Sequence, residues 1–332
     1  MARRPRPVRV AALTALLALV ALAAGGCGGE RLDGRVGVVG STTLLPMISA
    51  LAGQFAAQHP LVAVDARMKG TSDGLGSFCD GIDVISGASR PLSERELAAC
   101  RASGVRFVRL HIADDAVVLF TGAGEGPACL TGEQIYALMG PQSSDVATWA
   151  EASTVIPGTG SGLPETPLSV IGPGSASGTR RVLIDLVIKP IASERGVLPA
   201  LRSDYRAMPS EQLIADAVAS AEGGLGFAGL ATVASGSRVR LLEVDLGNGC
   251  TGASLATVRD GSYPLGRPLY LYVNLAAARE DATLRAFVET ALGDAGLALA
   301  AESGGLRIDD AEADRVRDHW RRALAGGTGD DA

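Results

Sequence analysis

The chain has 332 residues, 30 basic and 36 acidic, a net charge of −6, with three histidines, five cysteines and 4% aromatic residues. That length calls for two folding units around separate cores. The acidic balance excludes a general binder of nucleic acid or anionic lipid, and so few aromatics leave no stacking platform for sugars or bases.

Arg3, Arg4, Arg6 and Arg9 precede an apolar run from Val10 to about Ala24, and Ala24-Gly25-Gly26-Cys27 follows. A charged start, a short apolar stretch and small residues before a cysteine read as an export signal over residues 1–27, too short and wrongly flanked to remain a transmembrane helix. The end of this segment resembles a bacterial lipobox. That resemblance implies that Cys27 is lipidated and anchors the mature chain to the outer face of the cell membrane. Four basic residues and no acidic ones leave with the signal, so the mature chain carries 26 basic against 36 acidic residues. Any anion it captures must be held by local dipoles and one or two placed arginines.

Beyond the signal, residues 36–40 read as a strand that runs through Ser41, Thr42 and Thr43 into a helix over 44–58. Leu44, Met47, Ile48, Leu51 and Phe55 recur there at three- and four-residue steps. A strand is expected at 61–68, a short helix at 73–79 and a strand at 82–86. A helix over 93–103 opens on Ser93 with Glu96 three positions on, a capping box. Strands at 105–111 and 116–121 follow. The alternation predicts a mainly parallel sheet with helices on both faces.

A helix at 132–139 leads into a Gly/Ser/Pro-rich stretch, 140–167, which reads as a surface insertion with a mobile loop at 158–162. The next apolar run ends in Gly172-Pro-Gly-Ser-Ala-Ser-Gly-Thr179, which opens a helix over 179–188. Like the 40–45 turn, it sets hydroxyls before a helix N-terminus, where backbone N–H groups lack partners and the dipole favours an anion. Such a turn alone is ordinarily an N-cap; two in one chain suggest a small oxyanion held between two lobes. A helix at 210–221, close glycine packing at 223–229, a strand after Tyr263, and helices at 281–292 and 294–303 complete the chain, and the polar end 326–332 is expected to fray.

Four cysteines remain after Cys27. An even number in an exported chain favours disulfides, and three pairings are possible. Cys79–Cys100 with Cys129–Cys250 is preferred, since the first closes a local loop and the second joins elements expected in the same lobe. A four-cysteine metal site lacks Cys-x-x-Cys spacing, and no histidine neighbours any cysteine to activate a thiol.

Six short motifs occur in one order: Gly40-Ser-Thr-Thr-Leu-Leu-Pro, Gly70-Thr-Ser-Asp-Gly, Gly87-Ala-Ser-Arg-Pro-Leu, Ser175-Ala-Ser-Gly-Thr, Gly224-Leu-Gly-Phe-Ala-Gly and Tyr263-Pro-Leu-Gly-Arg-Pro-Leu. Together they resemble the phosphate-binding proteins of ABC importers, the PstS type, over roughly residues 34–300. The resemblance implies an α/β, two-lobed periplasmic-binding-protein fold of type II, with a hinge of two crossing strands. Lobe one would be 34–112 with 275–325 returning to it, and lobe two 113–274. It also implies a monomer that passes inorganic phosphate to a permease and needs no cofactor or metal.

Carried over by motif, the ligand groups are Thr42, Thr43 and the backbone near Leu44, then Thr71 and Ser72, the residue at 90, and Ser175, Ser177, Gly178 and Thr179. Two positions depart from the family. Many members have an aspartate in the 88–91 turn that accepts the proton of hydrogen phosphate; here it is Arg90. Many also have an arginine where this chain has Pro173. Asp73 is the expected replacement acceptor, with Asp114 or Asp115 behind it. Without an acceptor, sulfate becomes the rival ligand. An exported phosphatase is the remaining alternative, although Ser177 does not sit in a Gly-x-Ser-x-Gly elbow.

Overall fold

The structure, a computed structural model, describes residues 31–175, 177–233, 238–303 and 305–327. The export signal with Cys27 and the tail from 328 lie outside the described residues. Among those described, no helix is long and apolar enough to cross a membrane.

β1 (Gly34–Gly40), β2 (Val62–Arg67) and β3 (Ile85–Ala88) pair in parallel, with helices Leu45–Gln58, Thr71–Cys79 and Glu94–Ala102 between and after them. β4 (Phe107–Gly122) then runs for 16 residues. The two strands expected at 105–111 and 116–121 are thus one. Asp114 and Asp115 interrupt the apolar pattern without interrupting the strand, and both are buried.

Past β4, β5 (Cys129–Thr131) leads to helix Gly132–Met139, then β6 (Ser169–Pro173), β7 (Arg206–Met208), β8 (Gly224–Gly229), β9 (Val239–Leu241) and β10 (Glu243–Asp245). β11 (Gly266–Asn274) returns antiparallel to β4, with Asn274 opposite Phe107 and Gly266 opposite Ala116. The sheet order is β2-β1-β3-β11-β4-β8-β6-β7, with β9 also on β4 and β5 paired separately with β10. The sheet is mixed, not mainly parallel: its outer thirds are parallel, and β4 and β11 run antiparallel through the middle.

These two strands join two lobes. Val36, Ile48, Phe55, Leu110, Leu271, Phe287 and Trp320 belong to one core; Val118, Phe120, Tyr136, Trp149, Ile171, Phe227 and Tyr263 belong to the other. The changeover on β4 falls between Ala113 and Ala116, beside a register shift opposite Leu269 and Tyr270. A bulge of this kind bends a strand locally.

The stretch 140–167 is not a surface insertion. Val146, Trp149, Ala152 and Leu163 are buried in the second core, and the indole of Trp149 donates to Gly223 O at 3.0 Å. Nor does its glycine loop stand free, since a Cβ on Gly160 would meet Ala150 O at 2.0 Å. A last helix, Asp310–Leu324, packs Val316 and Trp320 onto the first core. Cys79–Cys100 and Cys129–Cys250 are the two disulfides.

Candidate functional site

Three glycines build the first-lobe side of the cleft. Gly40 ends β1 at φ 121°, where a Cβ would lie 2.0 Å from Gly87 O, and a Cβ on Gly74 would lie 2.3 Å from Gly40 Cα. Only glycine permits this backbone approach of two strand ends and a helix. Hydrogen bonds then fix it: Ser41 N–H donates to Gly87 O at 2.8 Å and Gly70 N–H to Gly40 O at 2.9 Å. Ser41 Oγ accepts from Thr43 N–H at 3.4 Å, opening a single 3-10 turn, Thr42–Leu44.

On the other side, β6 ends at Pro173 and Ser177 caps the helix Gly178–Leu183 by accepting from Arg180 N–H at 3.3 Å. The Pro173 carbonyl accepts from the Tyr205 hydroxyl at 2.9 Å, and that hydroxyl accepts from Arg180 Nε at 3.1 Å. Arg180 therefore braces the turn from behind. The two sides come closest where a Cβ on Gly178 would lie 3.3 Å from both Thr43 Cα and Thr43 Oγ1.

Between them is a cavity of about 300 Å³. Thr42 and Thr43 line it from one lobe, Ser177, Gly178 and Thr179 from the other, and Asp115 from the hinge. Leu45, Met47, Ala113, Leu269 and Ala300 give part of its wall an apolar character. Five of the expected ligand residues thus converge on one space.

The others sit elsewhere. Leu44 N–H already donates to Ser41 O at 3.1 Å and its side chain is fully buried, so Leu45 takes its place at the wall. Thr71 Oγ1 lies 3.0 Å from Ser89 Oγ and accepts from Ser89 N–H at 3.3 Å. Ser175 lines a separate cavity with Pro173, Met208 and Pro209. Asp73 is exposed in the first turn of its helix, away from the cavity.

Arg90 is held in a fork with Glu96, Nη1 and Nη2 donating at 2.8 Å to the two carboxylate oxygens. Its Nη2 also donates to Ser72 Oγ at 3.0 Å. Burial raises the Glu96 carboxyl, but hydrogen bonds from Arg90 and Ser93 outweigh it and hold the group at about 2. The pair is charged at any ordinary pH, and Glu96 largely cancels the cation expected of position 90.

Among the described residues lining the cavity only Asp115 is charged, and its partner comes from the other hinge strand. Arg267 on β11 stands opposite Asp115 on β4. Its Nε and Nη2 donate to Asp115 Oδ2 at 3.1 and 3.0 Å, and Nη2 also donates to Thr43 Oγ1. Arg267 was not among the expected ligand residues. Its signal in the sequence is a charge inside an apolar strand, opposed by a second one; buried charges require such a partner.

Cys129, Glu243 and Cys250 bring potential metal-ligating atoms within 4.8 Å of one another, but the two sulfurs are joined in a disulfide and offer no thiolate.

A cleft between two α/β lobes on two hinge strands, lined from both sides by hydroxyls and backbone, defines a solute-binding protein. The chain belongs to the PBP superfamily, whose domain model matches residues 28–294. "Protein SphX" of Synechococcus elongatus is 30% identical over 261 residues, 77% of this chain and 73% of that one. "Phosphate-binding protein PstS" of Staphylococcus aureus is 26% identical over 269 residues, 80% of this chain and 76% of the relative. The crystal structure of a possible phosphate binding protein from Planctomyces limnophilus matches with a TM-score of 0.78 at 26% identity, covering 88% of this chain and 99% of that one.

Proposed function

We propose that this protein captures inorganic phosphate between its lobes and delivers it to an ABC import permease, acting as a receptor and not as an enzyme. The observation that carries this reading is the convergence of Thr42, Thr43, Ser177, Gly178 and Thr179, from both lobes, on one cavity. Two relatives at 26% identity, one of them sharing the fold at a TM-score of 0.78, bear phosphate-binding names. Desolvating a divalent anion is costly, so a site for one must replace its water with short hydrogen bonds from groups already in place. Hydroxyls and backbone N–H groups at turns meet that need without a basic field.

Lobe one consists of residues 34–112 and 275–325 with the inner end of β11, and lobe two of most of 113–274. Binding to one lobe and closure by the other makes the closed form the species a permease recognises, a ligand-driven population shift. The N-terminal segment serves for export, and a lipid on Cys27 holds the receptor, a monomer, at the outer face of the cell membrane. Thr71, Ser72, Ser175 and Arg90 stand outside this cavity and are not part of the proposed ligand shell. Against a phosphatase, none of the described residues lining the cavity is a histidine or cysteine that could act as base or nucleophile.

Sulfate is the competing ligand, favoured by Arg90 standing where an acceptor is expected and by the exposure of Asp73. Calorimetric titration of the mature chain, stripped of bound ligand, separates the two. Tight phosphate binding with sulfate silent supports the phosphate reading. Tighter sulfate binding, or neither, overturns it.

A further inference from the structure

We propose that the cavity admits a phosphoryl group carrying a short, neutral organic substituent, as in a phosphomonoester or a phosphonate, with its oxygens at the hydroxyl-lined turns and the substituent over an apolar floor on the hinge. The inference rests on the reading of this cavity as a phosphate site and widens its ligand class beyond the free anion.

The cavity is larger than a free anion needs. A tetrahedral oxyanion is one central atom and four oxygens, and at roughly 30 Å³ each, the liquid volume of a water, they fill at most about half of the 300 Å³ present. Sites of about 300 Å³ and more, lined mostly by apolar groups with a few placed polar ones, are the size that holds small organic molecules.

Its lining also divides by polarity. On the hinge, Arg267 stands opposite Asp115 and Leu269 opposite Ala113, so an ion pair and an apolar pair lie side by side. Residues two apart on a strand share a face, and Ala113, Asp115 and Leu269 all line the cavity. The polar pair is joined to the first-lobe turn, since Arg267 donates to Thr43 Oγ1. Leu45, Met47 and Ala300 add to the apolar part. Ala300 lies in the last turn of helix Asp294–Glu302, the end whose dipole disfavours an anion. An anionic oxygen turned toward these groups gives up its water and gains no donor; a carbon substituent gives up nothing there.

Leu45 marks the place such a substituent would cover, because this large apolar side chain on the cavity wall is 41% exposed. From the ion pair to the apolar pair is two residues along each strand, about 6.6 Å, which a chain of about three to five bonded atoms spans. Each methylene that the apolar part removes from water should raise affinity about fourfold.

The test is calorimetric titration of the mature chain, stripped of bound ligand, with inorganic phosphate and with methyl-, ethyl- and propylphosphonate. The phosphonates should bind, with affinity rising about 16-fold from methyl to propyl, two methylenes at about fourfold each. Leu45→Gln should cut that propyl-to-methyl ratio to below about fourfold, because the amide opposes burial of the chain. Phosphate bound with all three phosphonates silent, or affinity flat or falling with chain length, overturns the inference and leaves the phosphate reading standing. Phosphonates bound with phosphate silent does the reverse. Silence toward all four overturns both. A ratio unchanged in Leu45→Gln also overturns the inference, since the wall would then not be what the substituent touches.

Discussion

Gly178 offers a direct perturbation of closure. It opens the helix Gly178–Leu183 and faces Thr43 across the cleft, where an added Cβ would come within 3.3 Å of both Cα and Oγ1. Carbon atoms in good contact sit at about 3.5–4.0 Å. Gly178→Ala therefore requires the lobes to stand a few tenths of an ångström further apart. Overpacking a well-fitted contact costs roughly 1–3 kcal/mol, and each 1.4 kcal/mol is about tenfold in affinity. The expected loss of phosphate affinity is thus about 5- to 150-fold.

The open, ligand-free protein should feel the opposite effect. Gly178 is not among the glycines with positive φ, so alanine adopts its backbone without strain. A glycine-to-alanine change at a compatible site stabilises by about 0.4–1 kcal/mol through the unfolded chain. The signature is an equal or higher melting temperature without ligand, together with weaker binding by calorimetry. Binding within twofold of wild type would show that the lobes do not meet at Gly178 and Thr43 when the ligand is bound. A lower melting temperature would refute the stability half of the reasoning.

Arg90→Ala should change phosphate affinity less than threefold, because Glu96 already occupies its fork; a tenfold loss by calorimetry would return Arg90 to the ligand shell. Removing the Cys129–Cys250 bridge, which spans 121 residues, should cost about 1.5 kcal/mol more than removing Cys79–Cys100, which spans 21, on loop-closure entropy; equal losses in denaturant unfolding would refute that account. Burial pulls the His111 pKa down, but Asp114 and Glu312, which bond its two ring nitrogens at 2.8 and 3.1 Å, outweigh it and leave the value raised. With Tyr270, Arg259 and Arg315 also around the ring, the stabilisation should be complete below the ordinary histidine pKa and fade as pH rises through the raised one. His111→Gln should flatten stability over that window, and parallel pH curves for the two proteins would remove His111 as the linked group.

Local features of the fold were legible. The Ser93–Glu96 capping box is present in both directions, and the helical turns capped by Ser41 and Ser177 start where hydroxyls and glycines precede apolar periodic runs. What misled was polarity in buried or regular structure. Asp114-Asp115 reads as a break in β4, yet each acid has a partner that keeps it inside, His111 for one and Arg267 for the other. Helix Asp310–Leu324 is dominated by charge, and its apolar face, Ala313, Val316, Trp320 and Ala323, is narrow enough to pass unnoticed. The 140–167 stretch has no period of 2 or 3.6, because an irregular chain is organised there around Trp149.

The site divides along the same line. Its neutral donors lie on contiguous turns, and a turn can be read from a few adjacent residues. Its charges do not: Arg267 and Asp115 are 152 positions apart, and only the antiparallel register of β4 and β11 makes them neighbours. Arg90 drew attention because it sits in a recognisable turn, but a nearer carboxylate, three residues into the next helix, claims it. Placing the charged pair on the hinge has a physical consequence that a turn-borne arginine would lack. A turn belongs to one lobe and moves with it, whereas Arg267 reaches from the strands joining the lobes to Thr43 on one side of the cleft. The pair is thereby tied to the strands that join the lobes, while Ser177, Gly178 and Thr179 line the cavity from the second lobe.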